Sequence, residues 1–141
     1  MPYQYGGLTE QRKASIHRRL DADALRTSKR WNGAMYMLGY SVECSLKAKL
    51  MERFESRNLR ALQEALSRRL KKKVDLLTHS LDDLLEYTHA EHRLGALRVD
   101  FGVCRKWRVA WRYSPDNGSE RTCRGFFEAC DRVLEFVAKS I

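Results

Sequence analysis

Apolar residues recur every three or four positions along most of this chain, the spacing that lines one face of an α-helix. Ile16, Leu20 and Ala24 mark such a face in a first helix that starts near Leu8 or Thr9, with Thr9 as its candidate N-cap, and runs into the twenties. Arg12, Lys13, Arg18 and Arg19 make its other sides basic. The second predicted helix runs from about Thr27 to Phe54, with Thr27 or Ser28 as cap, roughly 40 Å at 1.5 Å per residue. It is apolar around most of its circumference, which places it inside a bundle. Gly33 and Gly39 lie in its interior, each costing about 1 kcal/mol relative to Ala. Close approach of a neighbouring helix, helped by Ala34, Ser41, Ser45 and Ala48, is the expected compensation.

Leu59, Leu62, Leu66 and Leu70 define a short amphipathic helix, and residues 71–75 read as a linker. A further helix starts around Thr78–Ser80, where Ser80 with Asp83 forms a capping box with a short acid and Thr78 with Asp82 competes. Leu94, Leu97, Phe101, Cys104, Trp107 and Trp111 extend a helical period through 93–113, with Gly95 and Gly102 as weak points. Ser114-Pro115-Asp116-Asn117-Gly118 is a loop signalled by Asn-Gly. The last helix runs from near Ser119 to about Lys139 and buries Phe126, Phe127, Cys130, Val133, Leu134 and Val137. The sum is an all-α antiparallel up-and-down bundle of four to five helices in one domain over 1–141, with residues 1–7 loose.

Composition agrees with that outline. The 141 residues include only two prolines and eight glycines, few interruptions for long helices. No apolar run reaches the roughly 18 residues that a membrane span needs. The first residues carry neither a basic nor an apolar signal region, so the expected location is the cytoplasm. The four cysteines, at 44, 104, 123 and 130, form no Cys-x-x-Cys pair and no zinc-ligand spacing. They read as small core hydrophobes, without disulfides in a reducing compartment.

The formal net charge is +9, which favours a polyanionic partner without specifying a site. The densest basic run, Arg68-Arg69-Leu70-Lys71-Lys72-Lys73, reads first as a solvated helix end with cations near the C-terminal dipole. Its sharper reading is a phosphate patch, although no aromatic residue interleaves it as in a single-strand platform.

Chemistry concentrates on one stripe of the second helix. Tyr36, Tyr40, Glu43 and Lys47 follow one another at spacings of four, three and four, so they share a narrow face. Glu43 and Lys47 stand in the favourable Glu-to-Lys order. A buried Glu43 needs a cationic or hydrogen-bonding partner, and Arg112 is the candidate because guanidinium binds carboxylate bidentately. Two readings follow: a polar network that fixes helix register, or a pocket for a nucleotide or RNA with tyrosines stacking on bases. His79, at a helix start, is the candidate acid or base. His89 and His92 would share a helical face, but no third ligand has a convincing spacing and they read as surface residues. There is no glycine-rich phosphate loop and no serine nucleophile elbow.

The block Ala34-Met35-Tyr36-Met37-Leu38-Gly39-Tyr40-Ser41-Val42-Glu43-Cys44-Ser45-Leu46-Lys47-Ala48 resembles the long-helix signature of HEPN domains. Thr78-His79-Ser80-Leu81-Asp82-Asp83-Leu84-Leu85 is similar to that family's His-Asp-Leu helix start, with Ser80 in the Asp position. Trp107, Trp111, Arg112, Tyr113 and the amphipathic tail resemble its closing segment, so the likeness covers most of residues 8–141.

The resemblance implies a helical bundle that often dimerises, and RNA or nucleotide binding in toxin–antitoxin or defence settings, in some members beside a minimal nucleotidyltransferase. Many members are metal-independent endoribonucleases carrying an Arg followed four to six residues later by His. No His follows Arg112 in this chain, while Arg12 and His17 have the spacing in the first helix. The expectation is therefore a non-catalytic homodimeric module without cofactor or metal, binding RNA or a nucleotide through Tyr36, Tyr40, Glu43, Lys47, Arg112 and Tyr113. The alternatives are a degenerate ribonuclease using His79 and Arg112, and a structural antitoxin-like partner.

Overall fold

A computed structural model of the protein describes residues 6–76 and 79–141. Among these residues it is an all-α bundle of six α-helices without a strand. They are α1 (Leu8–Thr27), α2 (Trp31–Arg53), α3 (Leu59–Leu70), α4 (Leu81–Thr88), α5 (Arg98–Cys104) and α6 (Glu120–Ser140). Gly6 and Gly7, expected to be loose, are tied down: the Gly6 carbonyl accepts from the Leu59 amide at 2.9 Å, and Gly7 forms an isolated bridge with Asn58. The remainder of the expected loose terminus, residues 1–5, lies outside the described residues, as does the Thr78 cap.

α1 and α2 form an antiparallel hairpin. The turn between them needs Lys29 in the left-handed region, at φ 60°, and it closes with the Arg30 amide on the Leu25 carbonyl at 2.8 Å. For this reason α2 begins at Trp31, not at Thr27, and neither Thr27 nor Ser28 caps it. Gly7, not Thr9, stands at the N-cap of α1. Midway along the hairpin the Ser15 hydroxyl donates to the Ser41 carbonyl at 2.8 Å, and the Ser41 hydroxyl donates to the Ser15 carbonyl at 2.7 Å. Two small hydroxyl residues thus satisfy each other where the helices meet.

α6 closes the other side. The Ser119 hydroxyl accepts from the Thr122 amide at 3.1 Å, which starts the helix where its sequence signal places it. Arg19 of α1 grips Asp131 of α6 with two bonds of 2.9 Å and lies over the Phe127 ring. The core is contiguous: Leu38, Val42, Leu46 and Leu50 of α2 meet Leu62 and Leu66 of α3, Leu84 of α4, and Phe127, Cys130 and Val133 of α6.

Residues 93–113 are not one helix. They break into the 3-10 turn Gly95–Leu97, the seven-residue α5, and the 3-10 turn Val109–Tyr113. Gly95, at φ +54°, stops the helical run, because that conformation cannot continue a right-handed helix. The broken path lets Trp107 leave the helical track and enter the core, where it is 1% exposed. The 71–75 segment is non-helical and anchored, with the Val74 amide on the Ser67 hydroxyl at 3.1 Å. No helix among the described residues is long and apolar enough to cross a membrane.

Candidate functional site

The stripe on α2 is buried at its lower end. Glu43 is 4% exposed and Lys47 5%, so both charges need answers inside the protein. Each carboxylate oxygen of Glu43 has one. Oε2 accepts from the Lys47 ammonium at 3.4 Å, and Oε1 faces the His79 Nδ1 at 2.6 Å. Glu43 therefore pairs with His79 and Lys47, not with Arg112 as expected from guanidinium chemistry. The reason is chain path: Ser80 caps α4, its hydroxyl accepting from the Asp83 amide at 3.3 Å, and this start sets the preceding His79 against α2.

The pairing fixes the imidazole. A carboxylate is an acceptor only. Nδ1 must then carry the proton, and Nε2 is the nitrogen left to act on anything outside. The His79 side chain is 47% exposed. A buried acid thus orients a half-exposed imidazole.

An aromatic cluster sits above this pair. Tyr40 packs edge-on to His79 at 5.9 Å between centroids and to Trp107 at 5.0 Å. The Tyr36 hydroxyl donates to the Tyr40 hydroxyl at 3.2 Å, and the Trp107 Nε1–H donates to the Tyr36 carbonyl at 3.0 Å. Burial pushes the Tyr40 hydroxyl above its ordinary range, helped by the Tyr36 hydrogen bond and the nearby Glu43 charge. It stays a neutral hydroxyl at any physiological pH. The same indole explains Gly39. A Cβ there would lie 2.2 Å from the Trp107 ring, so the close neighbour of this glycine is a side chain from the broken segment rather than another helix.

Arg112 ends the network at the surface. It is exposed and bonds the Tyr113 hydroxyl; that bond, and then the neighbouring Tyr36 with which it lines one cavity, raise its pKa. Tyr113 is 72% exposed. The six site residues named from the sequence, together with His79, therefore form one chain of contacts from Arg112 through Tyr36 and Tyr40 to His79, Glu43 and Lys47. Trp107, the central ring, shows in the sequence as one residue of an apolar period and of the segment that resembles the HEPN closing stretch, and is not among the expected site residues. The signals that point to it are an indole within the basic stretch Arg105-Lys106-Trp107-Arg108 and an unexplained Gly39 beside two stripe tyrosines.

The network opens to solvent through two cavities. One, of about 450 Å³, is lined by Arg30, Asn32, Tyr36 and Arg112 with residues 114–117. The other, also about 450 Å³, is lined by His79, Asp82, Trp107 and Arg108 with Val109 and Ala110. The first combines Tyr36 with Arg30 and Arg112 beside Asp116, the second combines Trp107 and His79 with Arg108 beside Asp82, and each falls in the size range of small-molecule sites. Asp82 is engaged by Arg105 at 3.1 Å, which offsets its charge.

His89 and His92 do not share a helical face, because His89 ends α4 at φ 56° and His92 lies in the 3-10 turn Glu91–Arg93. Among the described residues no three His, Cys, Asp or Glu side chains converge as metal ligands. In the basic run, Arg68 and Arg69 fall in the last turn of α3 and Lys71 is its C-cap, with the Arg69 guanidinium over the Phe54 ring. That is a favourable place for cations. Comparison with protein-family models, with curated proteins and with solved structures finds no match to this chain.

Proposed function

We propose that this chain is a HEPN-like module that binds RNA or a nucleotide at the surface that Tyr36, His79 and Arg112 reach around the buried Trp107 ring. One observation carries the reading: a continuous polar and aromatic network runs from the buried Glu43–Lys47 pair to the exposed Arg112 and opens into two cavities that carry cations. A phosphate fits the Arg30 and Arg112 side, since guanidinium recognises phosphate in a planar, bidentate way. A base fits against the exposed Tyr113 or the Tyr36 ring, since stacking on aromatic faces is how single-stranded RNA is held. The net charge of +9 strengthens encounter with such a ligand.

Fluorescence anisotropy with a labelled single-stranded RNA, and with a labelled ATP, tests this at low salt. The expected result is saturable binding by the wild type that is weakened in Arg112→Ala. Absence of binding by the wild type to both probes removes the proposal.

The Glu43–His79 contact of 2.6 Å favours a second reading, a metal-independent ribonuclease. An imidazole oriented by a buried carboxylate is suited to proton transfer at Nε2, and Arg112 would stabilise the charge that develops on phosphorus oxygens. RNA cleavage that survives EDTA and disappears in His79→Ala distinguishes it from binding alone. The wider setting that goes with the proposal is a cytoplasmic homodimer in a toxin–antitoxin or defence pair with a minimal nucleotidyltransferase.

A further inference from the structure

Two thiols lie side by side in the core, away from the stripe on α2. Cys104 ends α5 and Cys130 stands in the middle of α6; both are 0% exposed, and their sulfurs are 3.0 Å apart. Non-bonded heavy atoms pack best at about 3.5–4.0 Å, so this is closer than an ordinary apolar contact. Cys123 is no substitute partner on that helix, since seven residues place it roughly 10 Å along the axis. Both cysteines of the pair are free thiols.

We propose that Cys104 and Cys130 form a dithiol that a small-molecule disulfide oxidises to an intramolecular disulfide, stapling α5 to α6. The chemistry is thiol–disulfide exchange. The Cys104 thiolate attacks the small disulfide, forms a mixed disulfide and expels one small thiolate. The Cys130 thiolate then attacks the Cys104 sulfur, closes the internal bond and expels the second. Two protein thiols lose two protons and two electrons, and one small disulfide becomes two small thiols.

Access comes through α5. This helix has seven residues, is preceded by a 3-10 turn, and has an exposed Val99 and only partly buried Gly102 and Val103. Besides Phe101 and Cys104 it is held to α6 by the Asp100–Arg132 contact of 2.8 Å, in which the Arg132 side chain is exposed. Lifting α5 uncovers Phe101 and Cys104, a local opening that can precede global unfolding. Cys104 is exposed when α5 lifts, and reclosure returns it to Cys130. Burial raises the Cys130 thiol pKa well above the ordinary range, so the closed protein reacts slowly and oxidation follows opening.

The staple encloses the segment that carries Trp107 and Arg112. Oxidation therefore restrains the part of the chain that supplies the indole and the guanidinium of the candidate site. The disulfide itself is independent of the proposed function; only its effect on ligand binding rests on that reading.

Incubation of the full chain with oxidised glutathione, followed by alkylation and peptide mapping, tests the proposal. The expected product has lost two hydrogens, shows a 104–130 cross-link, and melts on the order of 10 °C higher than the reduced protein. Cys104→Ala is expected to give no internal cross-link under the same treatment, while Cys44→Ala still gives it. Recovery of four alkylated thiols, a cross-link through Cys44 or Cys123, or only a stable glutathione adduct at Cys104 overturns it. Failure of RNA binding leaves these readouts unchanged.

Discussion

The carboxylate of Glu43 lies 2.6 Å from the Nδ1 of His79 while its other oxygen takes the Lys47 ammonium at 3.4 Å. One buried acid thus answers two partners of different kinds, one sealed in the core and one half open to water. This division predicts unequal effects of substitution. Glu43→Gln leaves Lys47 as a buried charge without an anion and is expected to cost about 3–5 kcal/mol in chemical denaturation. Adding Lys47→Met should recover much of that loss. If Glu43→Gln alone is neutral, the pair does not hold the interior as described.

Gly39 and Gly33 sit in the same helix and should respond in opposite directions. Alanine at 39 places a Cβ 2.2 Å from the Trp107 ring, and displacing a packed indole is expected to cost about 1–3 kcal/mol, outweighing the helix-propensity gain of about 1 kcal/mol. Alanine at 33 meets only the Leu25 methyls, at 3.6 and 3.8 Å, so a propensity gain should survive, smaller than in a helix interior because Gly33 lies in the first turn of α2. Thermal melts of the two variants, with tryptophan fluorescence for Gly39→Ala, check the contrast.

Stability should fall in alkali. Burial, with the neighbouring Glu43 charge, pushes the Cys44 thiol from 9.0 up to about 11. Between those values the unfolded chain has released a proton that the folded chain keeps, so the folded state binds more protons and stability drops as pH rises. The contribution is intact below about pH 9 and lost by about pH 11, a change of about 3 kcal/mol. Cys123, Cys130 and Tyr40 shift in the same direction. Denaturant midpoints across this window should fall, and Cys44→Ala should flatten part of the slope.

Salt should separate Arg112 from the rest of the positive surface. Because Arg112 is exposed, Arg112→Ala should leave the melting temperature unchanged. It should also lower the slope of log Kd against log salt for single-stranded RNA by roughly one phosphate contact, about 0.7. An unchanged slope would mean that the guanidinium does not meet the ligand.

Much of this architecture is legible in the residues. Leu59 to Leu70 form α3 with the expected ends, and the Ser80 and Ser119 caps start α4 and α6 as their local chemistry requires. These features depend on neighbours a few positions away, which a sequence displays. The 93–113 segment departs from the continuous helix that its spacing predicts, because 3-10 turns and short helices share a period of three to four residues with a long one. The Tyr36, Tyr40, Glu43, Lys47 stripe is visible as periodicity, but Glu43's partner is not. His79 reaches Glu43 only because α4 starts beside α2, and Arg112 turns outward to Tyr113. Nor does spacing distinguish a glycine that admits a helix from one that admits the Trp107 ring.

The central claim is that the network from Lys47 to Arg112 ends in a ligand surface, and a titration of the isotope-labelled protein with a short single-stranded RNA tests it most directly. The amide, indole and guanidinium signals of Tyr36, His79, Trp107 and Arg112 should shift together and saturate. Shifts confined to the basic run from Arg68 to Lys73, or none at low salt, would contradict the claim.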